Sequence, residues 1–431
     1  MTAEVVTMNK GAAAMAADSA ITVIGKKVYN SGSKLFPLSK NHPIGIMFYG
    51  NAAMMGVPWE TIVAEYRRHV MNTHFSKIEE FGHHFLKFIG ESKLLFPAEL
   101  QKEYLLQIAH LHFSIVVQAV DRRVETVLKQ KQEIADDEVT QIVTEEVLKQ
   151  VANVESAPYV DVADEAYEIA TTEILKADLS KVIDDVFKKL PIAGATKDLL
   201  LRMAPKTACK RWLFNNLRSG IVICGYGAQQ IYPSLFSVEI ESVYDGKVRC
   251  WAPQVESISN AIHSYIRPFA QQDVAQSFLR GIDPSFRTEL DSYFAGLFGG
   301  LSDVLLTGTT FDAATTEAIR NRANEIGKGA VEHIKQQLER LSRERFVDPV
   351  LGAVQVLPKD ELATMAETLV SLTSFRRRMS LDVETVGGPV DVAVISKKDG
   401  FIWIKRKHYF SPELNPSFFK DMSGNYGKSE T

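Results

Sequence analysis

The chain has 431 residues, of which 45% are hydrophobic, 24% charged and 9% aromatic, the proportions of a globular protein with enough material for a sizeable core. With 49 Lys and Arg against 53 Asp and Glu, its net charge of -4 excludes a generally basic nucleic-acid binder. Cys209, Cys224 and Cys250 are too few and too scattered for a disulfide framework or a zinc site, no apolar run approaches the roughly 18–20 residues of a membrane span, and the first twenty residues lack the order of a signal peptide, so a cytoplasmic protein without membrane or nucleic-acid partners is expected.

In chain order, Glu4–Met8 and Ala12–Ala17 flank Asn9-Lys10-Gly11, which predicts a hairpin because Asn and Gly accept the positive φ of tight turns. Lys34–Leu38 and Ile44–Tyr49 form a second strand pair around a polar turn at 39–43, and Gly50 ends it before a helical pattern, restarted at Pro58. From about 60 to 215 apolar residues recur at three- and four-residue steps, the mark of amphipathic packing helices. Strand signal returns at Gly220–Gly227 and in a hairpin, Leu235–Ile240 and Lys247–Trp251, closed by Tyr244-Asp245-Gly246. Residues 258–378 read as helical again, and Val390–Ser396 and Phe401–Ile404 make a last hairpin before a Pro-, Asn-, Gly- and Ser-rich tail. Gly225-Tyr226-Gly227 is a strand-end turn and not a phosphate cradle. His83, His84, His110 and His112 have no carboxylates at ligand spacing, so no metal is expected, and no cofactor motif is present. Arg376–Arg378 and Lys405–His408 read as solvated faces or subunit contacts.

Thr2 carries the chemistry. Once Met1 is removed, as expected before a small residue, Thr2 places a free α-amine beside its own hydroxyl, and an amine with a pKa near 8 can take the hydroxyl proton at neutral pH. A buried lysine beside that hydroxyl would favour its ionisation, a carboxylate would hold the lysine, and a backbone N–H at a helix start would bind an oxyanion. Asp18, Lys34 and Gly50 are residues of those types at strand ends.

On these residues the chain resembles the proteasome β-type subunits and their bacterial relatives among the N-terminal nucleophile (Ntn) hydrolases. Asp18 follows Thr2 by 16 positions and Lys34 by 32, the family's spacing. Gly11–Ser19 is similar to its small-residue strand, Lys34–Leu38 to its lysine strand, Gly50 to its oxyanion glycine and Gly387–Phe401 to its C-terminal double-glycine hairpin. The resemblance implies an α+β fold, a four-layer αββα sandwich of antiparallel sheets with helical insertions. Its discontinuous core would be 1–70, 215–258 and 358–409, with insertions at 71–214 and 259–357 and a tail at 410–431. The chain departs from the family twice. Where an Asp-x-x-Ser pair should support the terminal amine stand Val383 and Val386, with Asp382 and Glu384 as neighbours able to substitute; and no Ser-Gly-Ser-Gly loop follows the central hairpin, leaving Ser257 or Ser259 as stand-ins.

The resemblance therefore implies a threonine-type hydrolase of amide bonds in peptides or proteins. Thr2 would be the nucleophile, Lys34 would tune it, Asp18 would hold Lys34, and the Gly50 N–H would bind the oxyanion, with no cofactor. A homo-oligomer and a separate ATP-driven unfoldase are implied partners. The alternatives are a ring or scaffold subunit that has lost catalysis, and a small-molecule amidase on the same fold.

Overall fold

A computed structural model describes residues 2–23, 27–30, 32–38, 42–71, 73–159, 165–210, 217–308, 311–380 and 386–416. The chain divides into two compact units, Met1–Tyr49 with Cys224–Ser234 and Ser257–Thr431, and Gly50–Ile223 with Leu235–Glu256. This division differs from the core and insertions expected from the sequence. The strands of the central hairpin fall with the helices around 60–210 in the second unit, and the helices of 273–356 fall with the opening hairpin in the first.

The chain opens with β1 (Ala3–Asn9) and β2 (Ala13–Ala17), then β3 (Ile21–Val23), β4 (Lys27–Tyr29), β5 (Leu35–Pro37) and β6 (Ile44–Gly50). The short β7 (Ala53–Met54) and β8 (Val57–Pro58) lead into α1 (Trp59–Val70), α2 (Ile78–Glu91), α3 (Ala98–Lys131), α4 (Asp136–Ser156), α5 (Glu165–Val186) and α6 (Gly194–Cys209). Strands β9 (Ser219–Gly225), β10 (Ser234–Tyr244), β11 (Lys247–Ser257) and β12 (Ser264–Ala270) follow. Next come α7 (Asp273–Arg280), α8 (Pro284–Gly299), α9 (Leu301–Leu306), α10 (Ala313–Ser342), a π-helical turn at Arg343–Val347, α11 (Asp348–Val356) and α12 (Lys359–Arg378), and the last strands are β13 (Asp391–Ser396) and β14 (Gly400–Lys405).

In the first unit, β12-β1-β2-β13-β14 make a sheet whose neighbours all run antiparallel. Strand alternation gives it two different faces. Ala3, Val5, Ala12, Ala14, Ala16, Val392 and Val394 pack with Leu362, Ala363, Ala366, Leu369 and Val370 of α12, and the many alanines let the helix approach closely. Polar bonds pin it there: Thr7 donates its hydroxyl to the Leu362 carbonyl at 3.1 Å, and the Asn9 amide donates to the carbonyls of Val354 and Leu357. On the opposite face lies β6, where a Cβ on Gly45 would stand 2.7 Å from Met15 Sδ, so glycine is what allows the hairpin to sit against the sheet.

Three details differ from the sequence reading. The first turn does not use positive φ at Lys10 or Gly11; Asn9 Oδ1 instead accepts the N–H groups of Gly11 (2.9 Å) and Ala12 (3.2 Å), an Asx turn. Residues 264–270, read as the start of a helical stretch, are β12, and Pro268 opposite Val5 is tolerated because β12 is an edge strand. The β7–β8 turn, with Met55 and Gly56 at φ 49° and 82°, separates Gly50 from α1, which starts at Trp59.

In the second unit, α3, α4, α5 and α6 enclose a layer of Phe113, Val116, Val143, Val147, Leu179, Ile183 and Leu200, all almost fully buried. Each such side chain contributes about 1.5–3 kcal/mol on burial. β9, β10 and β11 lie side by side, and Asp245-Gly246, both at positive φ, closes the β10–β11 hairpin as its sequence predicts. Among the described residues no helix is long and apolar enough to cross a membrane.

Candidate active site

The opening hairpin brings Thr2 and Asp18 to one end of the sheet. Ala3 donates its N–H to Asp18 Oδ1 at 3.0 Å and Asp18 returns its own N–H to the Ala3 carbonyl at 3.1 Å, so the hairpin register holds the two ends together. Lys34, immediately before β5, is held by the Phe48 N–H donating to its carbonyl, and its ammonium donates to Asp18 Oδ1 at 2.6 Å. The pair is buried, with 7% and 0% of the two side chains exposed.

The Asp18 carboxylate is unusually well served. Besides Ala3 and Lys34 it accepts the N–H groups of Ala20 (3.2 Å) and Gly387 (3.0 Å), four donors in all. The double-glycine segment is thereby drawn to the site. Ser19 donates its N–H to the Gly387 carbonyl, and Gly388 takes φ 75° where a Cβ would come within 2.8 Å of Asn30. Burial lowers the pKa of Lys34, while the charge of Asp18, its hydrogen bond and the charge of Glu4 raise it again and Lys407 lowers it. A lysine in that balance sits closer to neutrality than a solvated one.

Thr2 is 4% exposed; its carbonyl accepts the Gln271 N–H at 3.1 Å, and its Oγ1 makes no hydrogen bond among the described residues. The Thr2 hydroxyl is thus buried and uncommitted among the described residues, one residue from the Ala3 N–H that binds Asp18. Gln271 follows Ala270, which takes φ 59°, and the Gln271 side chain accepts a hydrogen bond from Arg377 at the end of α12.

Glu4 was not singled out from the sequence. It is 1% exposed, and neither carboxyl oxygen makes a hydrogen bond among the described residues. Burial raises its pKa well above the carboxyl range, Lys34 lowers it and Asp18 raises it. Alternation held the signal, since Glu4 shares its strand face with Val6 and Met8 and breaks an otherwise apolar stripe. Asp391 was likewise missed; it accepts the Lys407 N–H at 2.9 Å and pairs with the Lys407 ammonium.

Gly50 ends β6 at φ 86°, and a Cβ there would stand 2.5 Å from the Arg218 carbonyl, so only glycine fits. Because α1 begins at Trp59, the Gly50 N–H is not at a helix start, and the helix-dipole part of its expected role does not hold. Ser257 and Ser259 are not brought to Thr2. Ser257 Oγ accepts from Ser234 Oγ at 2.9 Å, and Ser259 Oγ accepts the N–H groups of Ala261 and Ile262. They precede β12, whose Ser264 pairs with Asn9, which puts them at the far end of β1 from Thr2, on the order of 20 Å at the usual rise per strand residue. Asp382 and Glu384 lie outside the described residues, and Val386, which stands where the resemblance would put a serine, is fully buried. Among the described residues no cluster of three His, Cys, Asp or Glu side chains could hold a metal.

The chain is structurally similar over its full length to Anbu. One solved structure, an Anbu (Gly-1) mutant from Hyphomicrobium sp. strain MC1, covers 100% of this chain and 99% of its own at 8% identity and a TM-score of 0.27. Another, Anbu (ancestral β-subunit) from Yersinia bercovieri, covers 99% and 98% at 9% identity and a TM-score of 0.29. No family model and no curated protein matches the sequence. Both likenesses are weak, and the functional reading rests on Thr2, Asp18 and Lys34.

Proposed function

We propose that the chain is a threonine-type Ntn hydrolase that cleaves amide bonds, most simply in peptides, after Met1 is removed. The observation that carries this reading is the buried Asp18–Lys34 pair at 2.6 Å, tied through the Ala3 N–H to the residue next to Thr2, whose hydroxyl is buried and makes no hydrogen bond among the described residues. Thr2 Oγ1 attacks the substrate carbonyl carbon, and its proton passes through a water to the Thr2 α-amine. The Lys34 ammonium stabilises the charge developing on Oγ1, and the N–H groups of Ala3, Ala20 and Gly387 fix the Asp18 carboxyl group that holds it. The carbon–nitrogen bond breaks as the α-ammonium gives its proton to the leaving amine. Water then hydrolyses the acyl-Thr2 ester, with the α-amine as base, and returns the proton to Oγ1. The role of the Gly50 N–H as oxyanion donor is carried over from the sequence resemblance, as are the full αββα layering, the insertions, a homo-oligomer and a separate ATP-driven unfoldase. Within the first unit, α12, the sheet and the β5–β6 hairpin supply helix, sheet and strand layers consistent with that architecture.

Intact mass before and after a β-lactone or epoxyketone tests the reading. Loss of Met1 and a single adduct, absent in Thr2→Ala, is the expected result; retention of Met1 would sink the mechanism. Removal of Ser257 and Ser259 from the site favours a second reading, a subunit that keeps the fold without catalysis, and Met1 loss without any adduct would support it.

A further inference from the structure

We propose that Glu4 is a second functional carboxyl of the Thr2 site, held as the uncharged acid in the working protein, and that its ionisation switches the nucleophile off. This rests on the hydrolase reading for the switch, though not for the protonation of Glu4. Glu4 stands two residues from Thr2, and its register places Phe269, Glu4, Ala17 and Asp391 in one row across the sheet. In-register strand residues share a face, so the row surveys what can reach the carboxyl.

Among the described residues, the charged or titratable groups that the register and contacts put nearest it are committed to other partners or, for Arg267, lie over an apolar ring. On the β2 side Ala17 offers no donor, and Asp18 beyond it adds negative charge while being filled by its own four donors. On β13, Asp391 is satisfied by Lys407. On β12, the Arg267 guanidinium lies over the Phe269 ring, 5.8 Å from its centre, and from β6 the Tyr49 ring stacks on the same phenylalanine. Lys34, the cation that lowers the pKa of Glu4 among the described residues, gives its hydrogen bond to Asp18. A carboxylate left buried without donors is far costlier than a neutral acid, so the proton stays.

That proton sets the charge of the site. With Glu4 neutral, the charges of Asp18 and Lys34 cancel, and an alkoxide forming on Thr2 Oγ1 meets no net charge from these three side chains. When Glu4 releases its proton to solvent, the three side chains carry one net negative charge in a medium that screens poorly, and the same alkoxide is opposed. The rising limb of acylation with pH belongs to the α-amine; the falling limb belongs to Glu4.

Infrared spectroscopy and acylation kinetics test the two halves. The expected wild-type spectrum holds a protonated-carboxyl C=O stretch at neutral pH that Glu4→Gln removes and that disappears as pH rises. Thr2 acylation by a β-lactone, followed by intact mass, should fall at that same pH, and in Glu4→Gln the falling limb should move to higher pH. Absence of the band at neutral pH, or an unmoved limb in folded Glu4→Gln, overturns the assignment even if the wild type acylates. A wild type that never acylates, yet shows the titrating band, sinks the hydrolase reading and the switch together while leaving Glu4 protonated. Should Glu4→Gln fail to fold, the wild type decides alone: band and rate must be lost at one pH, and separate midpoints refute the switch.

Discussion

The sheet around Thr2 and the helical cluster α3–α6 bury titratable groups of opposite kind. In the sheet the stranded group is an acid, Glu4, whose pKa burial raises. In the helices the buried group is a base, His112, 1% exposed on α3, whose pKa burial lowers to about 4 while its hydrogen bond with Gln150 raises it. Both shifts have the same cause, the cost of a charge away from water, and they make the two regions weaken at opposite ends of the pH scale. The helical cluster otherwise holds an apolar layer, as a packing element should. The sheet instead buries Glu4, Asp18, Lys34 and Asp391, a concentration of ionisable groups on which the proposed site rests.

Removing a partner from each region should separate these roles most sharply. Lys34→Ala leaves Asp18 buried without its cation, a loss on the order of 3–5 kcal/mol for such pairs, moderated here by three remaining N–H donors, and should abolish Thr2 acylation. Phe113→Ala opens a cavity in the helical layer and should cost about 3–5 kcal/mol in urea unfolding. Acylation by the folded fraction should survive it. Unchanged reactivity in Lys34→Ala would remove the lysine from the mechanism.

A pH series sharpens the contrast further. The unfolded state of His112 binds its proton near pH 6.5 and the folded state only near 4, so stability contributed by the neutral ring is lost as pH falls through that window, about 3 kcal/mol in all. Glu4 works in reverse: its folded pKa is raised, so stability is complete below the ordinary carboxyl value of 4.5 and declines as pH rises above it. Hydrogen exchange resolved by peptide should show α3 loosening in acid, unless His112→Gln is present, and β1 loosening in alkali, unless Glu4→Gln is present. A shared direction in both regions would contradict the assignments.

How much of this could be read beforehand depended on whether a residue's environment was local. Asp18 and Lys34 are legible through the resemblance, whose spacing from Thr2 they match, while the hydrogen bond from Gly387 to Asp18 joins distant parts of the chain and has no local signal. Asp245-Gly246 was legible because a two-residue turn dictates its own φ. β12 was not: its pairing with β1 joins residues more than 250 positions apart, and Pro268 and Arg267 argue locally against a strand that only an edge position permits. Glu4 breaks an apolar stripe in its own strand, but nothing local shows that both sheet neighbours leave its carboxyl without a donor among the described residues. Ser257 and Ser259 were chosen by residue type and order alone, and the β12 register carries them to the wrong end of β1.

The smallest expected effect isolates burial itself. Lys102 of α3 and Asp178 of α5 meet at 2.6 Å, the same separation as Lys34 and Asp18, but their side chains are 47% and 30% exposed against 7% and 0%. Identical contact lengths therefore predict unequal consequences. In the exposed pair, water and salt take over from a lost partner, since charges at the surface are screened over roughly 8 Å at physiological ionic strength. Lys102→Ala should shift thermal melting only slightly, and the shift should vanish at high salt. The Lys34→Ala shift should persist there, because no counter-ion reaches a carboxylate enclosed by β1, β2 and the double-glycine segment. Equal salt dependence for the two variants would mean that the Asp18 pocket admits solvent, and would weaken the case for a neutral Glu4 beside it.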